Sequence, residues 1–392
     1  MKEINTDNVK GFNDYTSQEA LTREAIKQIL VQTFKLYGFE PAETPIVEFE
    51  EFVKGDNEYD EAVSDIFKLK DKGMRALALR YELTFQLKRI SKNKKLPYKR
   101  YQIGEVFRDE PVSSNRFRQF TQCDIDVIGS TIKDEAEVLA LTYETLKELG
   151  IKAEILINNR KLLNSIIKSF GIGNAEFVIR EIDKLDKIGI DSVKANLAKF
   201  VEKDKILNLL KLLEKPLSYF KKYEGYNELK ELFDLCKSYG IELVFSPKLA
   251  RGLSYYNGSV FEVKTKEMKE NICGGGSYLV NGIQSTGICF GLNRLSLLAK
   301  IKVGGIRALI ININENEKSI KLAKKLRKEN ISCLIIDKVS KGLEYANADG
   351  IPFVIFLGEE EAKKKKLKLR NMKTGKEEML NEKVAIDYLK PK

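Results

Sequence analysis

The sequence predicts an α+β protein of two domains. An antiparallel-sheet domain spans residues 1–304 and carries a helical insertion at about 160–240; a small α/β domain follows at 305–392. Three observations predict this. Residues 104–126 alternate as a charged antiparallel hairpin. Residues 160–240 are rich in Leu, Ile, Lys and Glu at helical spacing, with little strand signal. Beyond Gly304-Gly305 the chain reads strand, helix, strand, helix, strand.

The elements follow in order. Residues 17–37 form an amphipathic helix, because Ala25, Ile26, Ile29, Leu30, Thr33, Phe34 and Tyr37 recur on one face. Gly38 ends it, and Phe39 to Pro45 reads as a strand. Arg75 to Arg80 is a strand that leads into a helix start at Tyr81-Glu82-Leu83-Thr84, with Thr84 or Glu82 at its N-terminus. The hairpin comes next. Its pattern is Phe107-Arg108-x-Glu110, a loop, then Arg116-x-Arg118-x-Phe120-x-Gln122-x-Asp124-x-Asp126. Alternation places Arg108 and Glu110 on one side, and the six return-strand residues from Arg116 to Asp126 on one side. A guanidinium fork beside an aromatic ring suits a nucleotide, phosphate to the one and base to the other. Pro216 and Gly225 punctuate the helical insertion.

Strand signals return at Glu242 to Phe245 and Ser259 to Val263. Gly274-Gly275-Gly276 has two readings, close backbone approach to a ligand or a tight turn, and by itself it favours the turn. Gly287 to Leu295 is a strand entering a helix, with Arg294 at the helix start. The last domain places strands at 308–313, 332–336 and 353–357 and helices at 317–329 and 341–348, with a basic run at Lys363 to Lys366.

Composition narrows the chemistry. Among 392 residues there is no histidine, where about eight are expected at ordinary usage. A Ser-His-Asp triad, a His-based metal site and a His general base are excluded. Chemistry is left to arginines, carboxylates, tyrosines and backbone groups, with or without magnesium. The five cysteines are scattered, with no Cys-x-x-Cys pair, so a reducing, cytoplasmic setting is expected. Met1 to Lys10 is polar, so no signal peptide is expected, and no run reaches the roughly 18 apolar residues of a membrane span. Net charge is +11. Residues 303–392 hold 20 basic against 13 acidic residues, an excess of seven, which suits a polyanionic partner.

The hairpin resembles motif 2 of class II aminoacyl-tRNA synthetases, residues 17–45 resemble motif 1, and Gly287 to Leu295 resembles motif 3. Within that class the chain resembles the histidyl-tRNA synthetases. Arg251-Gly252-Leu253-x-Tyr255-Tyr256 carries the likeness most specifically. Lys10-Gly11-Phe12-Asn13-Asp14-Tyr15 and Ile182-Asp183-Lys184-Leu185-Asp186-Lys187 support it, and Gly350-Ile351-Pro352-Phe353 with Leu369-Arg370-Asn371-Met372 resembles the class's anticodon-binding domain.

The resemblance implies a class II catalytic domain, an anticodon-binding domain and a homodimer built through motif 1. It implies an enzyme of protein biosynthesis: a ligase joining histidine to tRNA(His) through a histidyl-adenylate, with ATP as substrate and Mg2+ bridging its phosphates. It also implies roles. Arg108 and Arg251 are catalytic. Arg108, Glu110, Phe120 and Arg294 bind ATP. Glu82, Thr84 and Gln122 surround the amino group, and Asp126, Tyr255, Tyr256 and Tyr278 surround the imidazole. Taken residue by residue, Tyr255 and Tyr256 also fit core aromatics, Arg294 a helix surface, and Asp126 a structural partner of Arg118 or another arginine. Ser254, Ser277, Leu279 and Asn293 depart from the family pattern, which predicts an altered pocket wall at Ser277 and Leu279. Two alternatives remain: a catalytically silent, histidine-binding regulatory paralogue of histidine biosynthesis, and a class II ligase for proline or threonine.

Overall fold

The computed structural model describes residues 4–55, 61–251, 255–364 and 366–390. Gly252, Leu253 and Ser254 of the Arg-Gly-Leu-x-Tyr-Tyr segment lie outside them, as does Lys365 of the basic run. The chain divides into two compact units, Met1–Tyr15 with Thr22–Ile301, and Thr16–Leu21 with Lys302–Lys392.

The first unit is built on an eight-stranded sheet. Its strands are β1 (Glu40–Pro41), β2 (Tyr98–Phe107), β3 (Gln119–Ile128), β4 (Glu154–Asn159), β5 (Leu243–Phe245), β6 (Tyr256–Thr265), β7 (Met268–Val280) and β8 (Ile283–Gly291). Their order is β1-β2-β3-β8-β7-β6-β4-β5. The six central strands are antiparallel, and the short edge strands β1 and β5 pair in parallel. One face carries the main core. Cys123, Ile125 and Val127 of β3 pack there with Ile26, Leu30 and Phe34 of helix Ser17–Leu36 and with Leu139 and Leu146 of helix Ile132–Glu148. Because side chains alternate along a strand, Gln122, Asp124 and Asp126 must face the other way. That second face carries the candidate site residues of the hairpin.

Between Asn159 and Leu243 the described residues are helical, from Arg160–Ser169 to Tyr226–Ser238. Helix Ser17–Leu36 matches its expectation, and Gly38 follows it at φ 79°. Three expectations need correction. The strand after Gly38 is only Glu40–Pro41. No helix begins at Tyr81; the short helix is Leu87–Ile90, capped at Gln86 without a side-chain bond, so Glu82 and Thr84 lie on an irregular segment. Its geometry is set by arginines reaching from β2 rather than by a capping residue. Nor do Arg116 and Arg118 belong to the return strand. β3 starts at Gln119, and both sit in the connecting loop, where each meets an acid.

The second unit holds a five-stranded sheet. Strands Cys333–Ile336, Ala308–Asn312 and Phe353–Leu357 are parallel, and Lys366–Asn371 and Glu377–Asn381 extend it antiparallel. The last two strands were not expected. The first alternates Lys and Arg with buried Leu367 and Leu369, and the second opens on Glu377-Glu378, so each reads as a charged, solvated run in one dimension.

Candidate active site

The functional face is laid out by cross-strand register. Partners across an antiparallel pair point to the same side. One row runs Arg100, Asp126, Gly287, Gly276. The next runs Gln102, Asp124, Cys289, Gly274, Glu262. Beyond it come Gly104, Gln122 and Gly291, then Val106 and Phe120. Arg108 follows Val106 just past the end of β2. Phe120, Gln122 and Asp126 therefore share one surface, as alternation predicts.

The glycines make that surface deep. The glycine run lies inside β7, not in a turn. A Cβ on Gly274 would sit 2.3 Å from Nη1 of Arg251. One on Gly276 would lie 2.8 Å from the Tyr256 ring, and one on Gly287 2.2 Å from Oδ1 of Asp126. So the run gives room to other side chains of the site, which neither reading of the bare sequence included.

At the Asp126 end the groups bind one another, leaving Arg100 Nε and Nη1 without a hydrogen-bond partner. Asp126 is buried, ion-paired to the fully buried Arg100 at 2.7 Å, and accepts a short hydrogen bond from Tyr278 Oη. Burial pushes the Asp126 carboxyl up, and Arg100 and Tyr278 pull it back. Burial, and Asp126 after it, hold the Tyr278 hydroxyl well above its usual range. Tyr255, Tyr256 and Tyr278 pack as a ring cluster, with centroids 4.7 to 6.4 Å apart. Tyr255 Oη lies 3.5 Å from Glu82 Oε2.

Glu82 and Thr84 sit above the sheet. Two arginines pin their segment: Arg100 donates to the Leu83 carbonyl at 2.7 Å, and Arg108 to the Tyr81 carbonyl at 3.1 Å. Arg108 then lies over the Phe120 ring, 5.3 Å from its centroid. Buried Glu110 is paired with Arg116. Arg294, in the first turn of helix Leu292–Leu298, donates to Asn271. Burial depresses its guanidinium, and Arg116 and Arg108 add to this, so the three cations face a common region.

Arg251 completes the surface. Its backbone is in the left-handed region at φ 59°, uncommon for a side-chain-bearing residue. The preceding carbonyls are fixed by Asn158, which donates to Leu249, and Arg160, which donates to Ala250. Its guanidinium reaches over Gly274 and pairs with Glu262 at 2.9 Å. Burial alone would depress it, yet Tyr256 and Glu262 hold it above its usual value. Asn271 bonds Glu262 as well as Arg294, so the two arginines are linked through two shared partners.

Several of these residues were missed in the sequence. Arg100, Glu262 and Asn271 gain meaning only through register; for Glu262, alternation from Val260 was the available signal. Ser277 and Leu279 correct a further expectation. Both point away from Tyr278 along β7. Ser277 is buried and hydrogen-bonds Glu135, while Leu279 is half exposed. The pocket wall at this point is Tyr278. Asn293 accepts from the Thr121 backbone and donates to Tyr15, tying the N-terminal segment to β3.

The histidyl-tRNA synthetase family profile matches residues 11–295, and the anticodon binding domain profile residues 307–392. Histidine–tRNA ligase 1 of Bacillus cereus is 35% identical over 94% of this chain and 96% of its own. The histidine–tRNA ligase of Clostridium tetani is 33% identical over 97% of each. The crystal structure of histidyl-tRNA synthetase from a Nostoc species superposes with a TM-score of 0.87 at 25% identity, covering 99% of both chains. A Bacillus halodurans structure described as an ATP phosphoribosyltransferase regulatory subunit/histidyl-tRNA synthetase shares the fold, with a TM-score of 0.77 at 22% identity over 91% of this chain and 99% of its own.

Proposed function

The chain belongs to the histidyl-tRNA synthetase family, and from that premise we propose that it activates histidine with ATP and transfers it to tRNA(His). The observation that carries this reading is the adjacency of two rows. A buried acid–phenol–guanidinium set at Asp126, Tyr278 and Arg100 lies one row from Arg251. The first suits a ring with two nitrogens, because a site built to pair both rejects isosteres by leaving buried groups unmet. The second suits a phosphoryl group.

The amino acid's carboxylate attacks the α-phosphorus of ATP and pyrophosphate leaves. The nucleophile is already an anion, so no general base is required, consistent with a protein lacking histidine. Charge grows on the phosphoryl oxygens in the transition state. Arg108 and Arg251 bind those oxygens from two directions. Arg251 must loosen its hold on Glu262 to do so, or share it. Phe120 carries the adenine ring, with Arg108 above it. Arg294 takes the γ-phosphate, with Glu110 holding Arg116 in place. Glu82 pairs with the substrate's ammonium, and Thr84 and Gln122 flank it. ATP arrives as its Mg2+ complex. Mg2+ bound to the nucleotide would offset charge on its phosphates; among the described residues no group of three His, Cys, Asp or Glu side chains gathers to hold a metal. The second unit, with its basic excess, takes the anticodon end of the tRNA. Among the described residues no helix is long and apolar enough to cross a membrane; by its likeness to the family the chain acts as a cytoplasmic homodimer.

ATP–pyrophosphate exchange with each amino acid in turn tests the reading. Exchange with histidine alone is the expected result. Exchange only with proline or threonine would assign another specificity. Silence with every amino acid, together with histidine binding, would assign the regulatory role shared by the Bacillus halodurans description.

A further inference from the structure

The segment Ile182-Asp183-Lys184-Leu185-Asp186-Lys187 stands out in the sequence, and the mechanism above gives it no task. Its second half opens the short helix Leu185–Ile188 of the helical insertion. From there Asp186 reaches the large sheet, with Oδ2 2.8 Å from Nζ of Lys264 on β6. Lys264 stands two residues beyond Glu262, so alternation puts both on the face that carries Arg251. Lys264 Nζ lies 4.0 Å from Glu262 Oε2. The other oxygen, Oε1, accepts from Arg251 at 2.9 Å and from Asn271 at 3.0 Å. Alternating charges thus run from Asp186 through Lys264 and Glu262 to Arg251. They also run from solvent inward: the Asp186 side chain is 80% exposed and that of Glu262 15%. An exposed ion pair is weak and readily exchanged, whereas the inner pair is less screened.

We propose that Lys264 is a positioning residue for Arg251: its ammonium shares the Glu262 carboxylate and so weakens that carboxylate's hold on the guanidinium, while Asp186 draws Lys264 the other way. When Arg251 turns to the phosphoryl oxygens, Glu262 loses its cation. A largely buried carboxylate left without a cation is costly. Lys264 has the reach to replace it, since its four-carbon stem is flexible and Oε2 lies on its side. Burial would depress the Lys264 ammonium, yet Asp186 and then Glu262 hold it above its ordinary value, so the replacement cation is present at neutral pH. Asp183, the third acid acting on it, is itself paired with Lys187. The two members of the outer ion pair therefore act on Arg251 with opposite sign. Losing Lys264 leaves Glu262 to grip Arg251 alone; losing Asp186 frees Lys264 for Glu262.

This inference rests on the reading of the site as adenylate-forming, and the test separates the two. The kcat of ATP–pyrophosphate exchange, with the KM for histidine and for ATP, is measured for the wild-type protein, Lys264→Met, Lys264→Arg and Asp186→Asn. Lys264→Met should lower kcat about three- to ten-fold and leave both KM values within about two-fold, the signature of a contact that matters mainly in the transition state. Lys264→Arg, which keeps the charge, should retain most of the wild-type kcat. Asp186→Asn should raise kcat about two-fold, and should change nothing when added to Lys264→Met, because Asp186 acts only through Lys264. A merely structural ion pair predicts the same loss from either side. Equal losses in Lys264→Met and Asp186→Asn, or a wild-type kcat in Lys264→Met, overturn the proposal while the exchange reading stands. Should Lys264→Met melt early, the sign at exposed Asp186 decides, a lowered kcat there overturning the proposal. Wild-type silence with every amino acid would overturn the adenylate-forming reading and take this inference with it.

Discussion

At one end of the functional face, Asp126, Arg100 and Tyr278 are buried and bonded to one another. At the other, Arg108 and Arg294 are tethered to carbonyls and an amide while burial and neighbouring cations depress the Arg294 guanidinium. The first end is held together by its own ion pair and hydrogen bond before any ligand arrives, while Arg100 Nε and Nη1 are left without a hydrogen-bond partner. The second holds like charges together and is completed by an anion. The contrast follows from what each end must do. Recognising a neutral ring demands a shape and hydrogen-bond pattern fixed beforehand, since flexible partners discriminate poorly. Stabilising charge that appears only in the transition state demands cations already in place, even at a cost in repulsion.

Substitutions at the two ends should therefore fail differently. The largest effect is expected for Arg251→Ala. Exchange should fall by about 10²–10⁴ in kcat, while histidine affinity changes less than about three-fold, as calorimetry would show. Equal loss of binding would erase the distinction between the ends. Arg100→Met should act through stability. It leaves the Asp126 carboxylate buried without its cation, at a cost of about 3–5 kcal/mol, read as a lowered denaturant midpoint. Were stability unchanged, the first end would not be the tightly coupled unit described.

Two glycine substitutions sharpen the comparison. Gly274→Ala places a methyl 2.3 Å from Arg251 Nη1, the far end of a flexible side chain. It should lower exchange about ten-fold or more with little change in melting temperature. Gly287→Ala meets Asp126 Oδ1 at 2.2 Å and also the Ile125 carbonyl at 2.6 Å. Backbone cannot swing aside, so stability should drop by about 1–3 kcal/mol. Identical outcomes at the two positions would contradict the proposed difference in rigidity.

The smallest effect concerns Glu135, buried behind Ser277. Burial raises its carboxyl to about 7, with hydrogen bonds from Ser277 and Ser259 pulling it part of the way back. Between about pH 4.5 and 7 the folded protein then holds a proton that the unfolded chain has released, so stability falls as pH rises through that window. Glu135→Gln should remove this fall and stabilise the protein above pH 7, by at most about 3 kcal/mol, while changing little near pH 5. Asp124, whose carboxyl burial also raises to about 7, acts in the same direction, so the difference between wild type and variant is the quantity to measure.

Much of the site was legible because the hairpin is local. Phe120, Gln122 and Asp126 are read onto one surface by alternation alone, and the register places them there, with Arg108 just past the strand end over the Phe120 ring. The motif order carried Arg251 and Arg294 into the same neighbourhood. Legibility ended where a partner came from another strand. Asp126 was open to pairing with Arg118, but Arg118 lies in the loop and meets Asp109, while Arg100 faces Asp126 directly. The irregular course of residues 81–86 was read as a helix start because its organising bonds come from Arg100 and Arg108. Nothing in residues 81–86 themselves encodes those donors.

The amino-acid sequence by itself determined the periodicities: which residues share a face of a strand, where helices run through residues 160–240, and that no imidazole of the protein takes part. Those properties depend on near neighbours in the chain, so they survive without a fold. The tertiary structure decided which acid meets which base, why the three glycines stand where they do, and that Ser277 turns away from the pocket. Each of these depends on the register between strands distant in the chain. A shift of one residue in that register would exchange the two faces of the sheet.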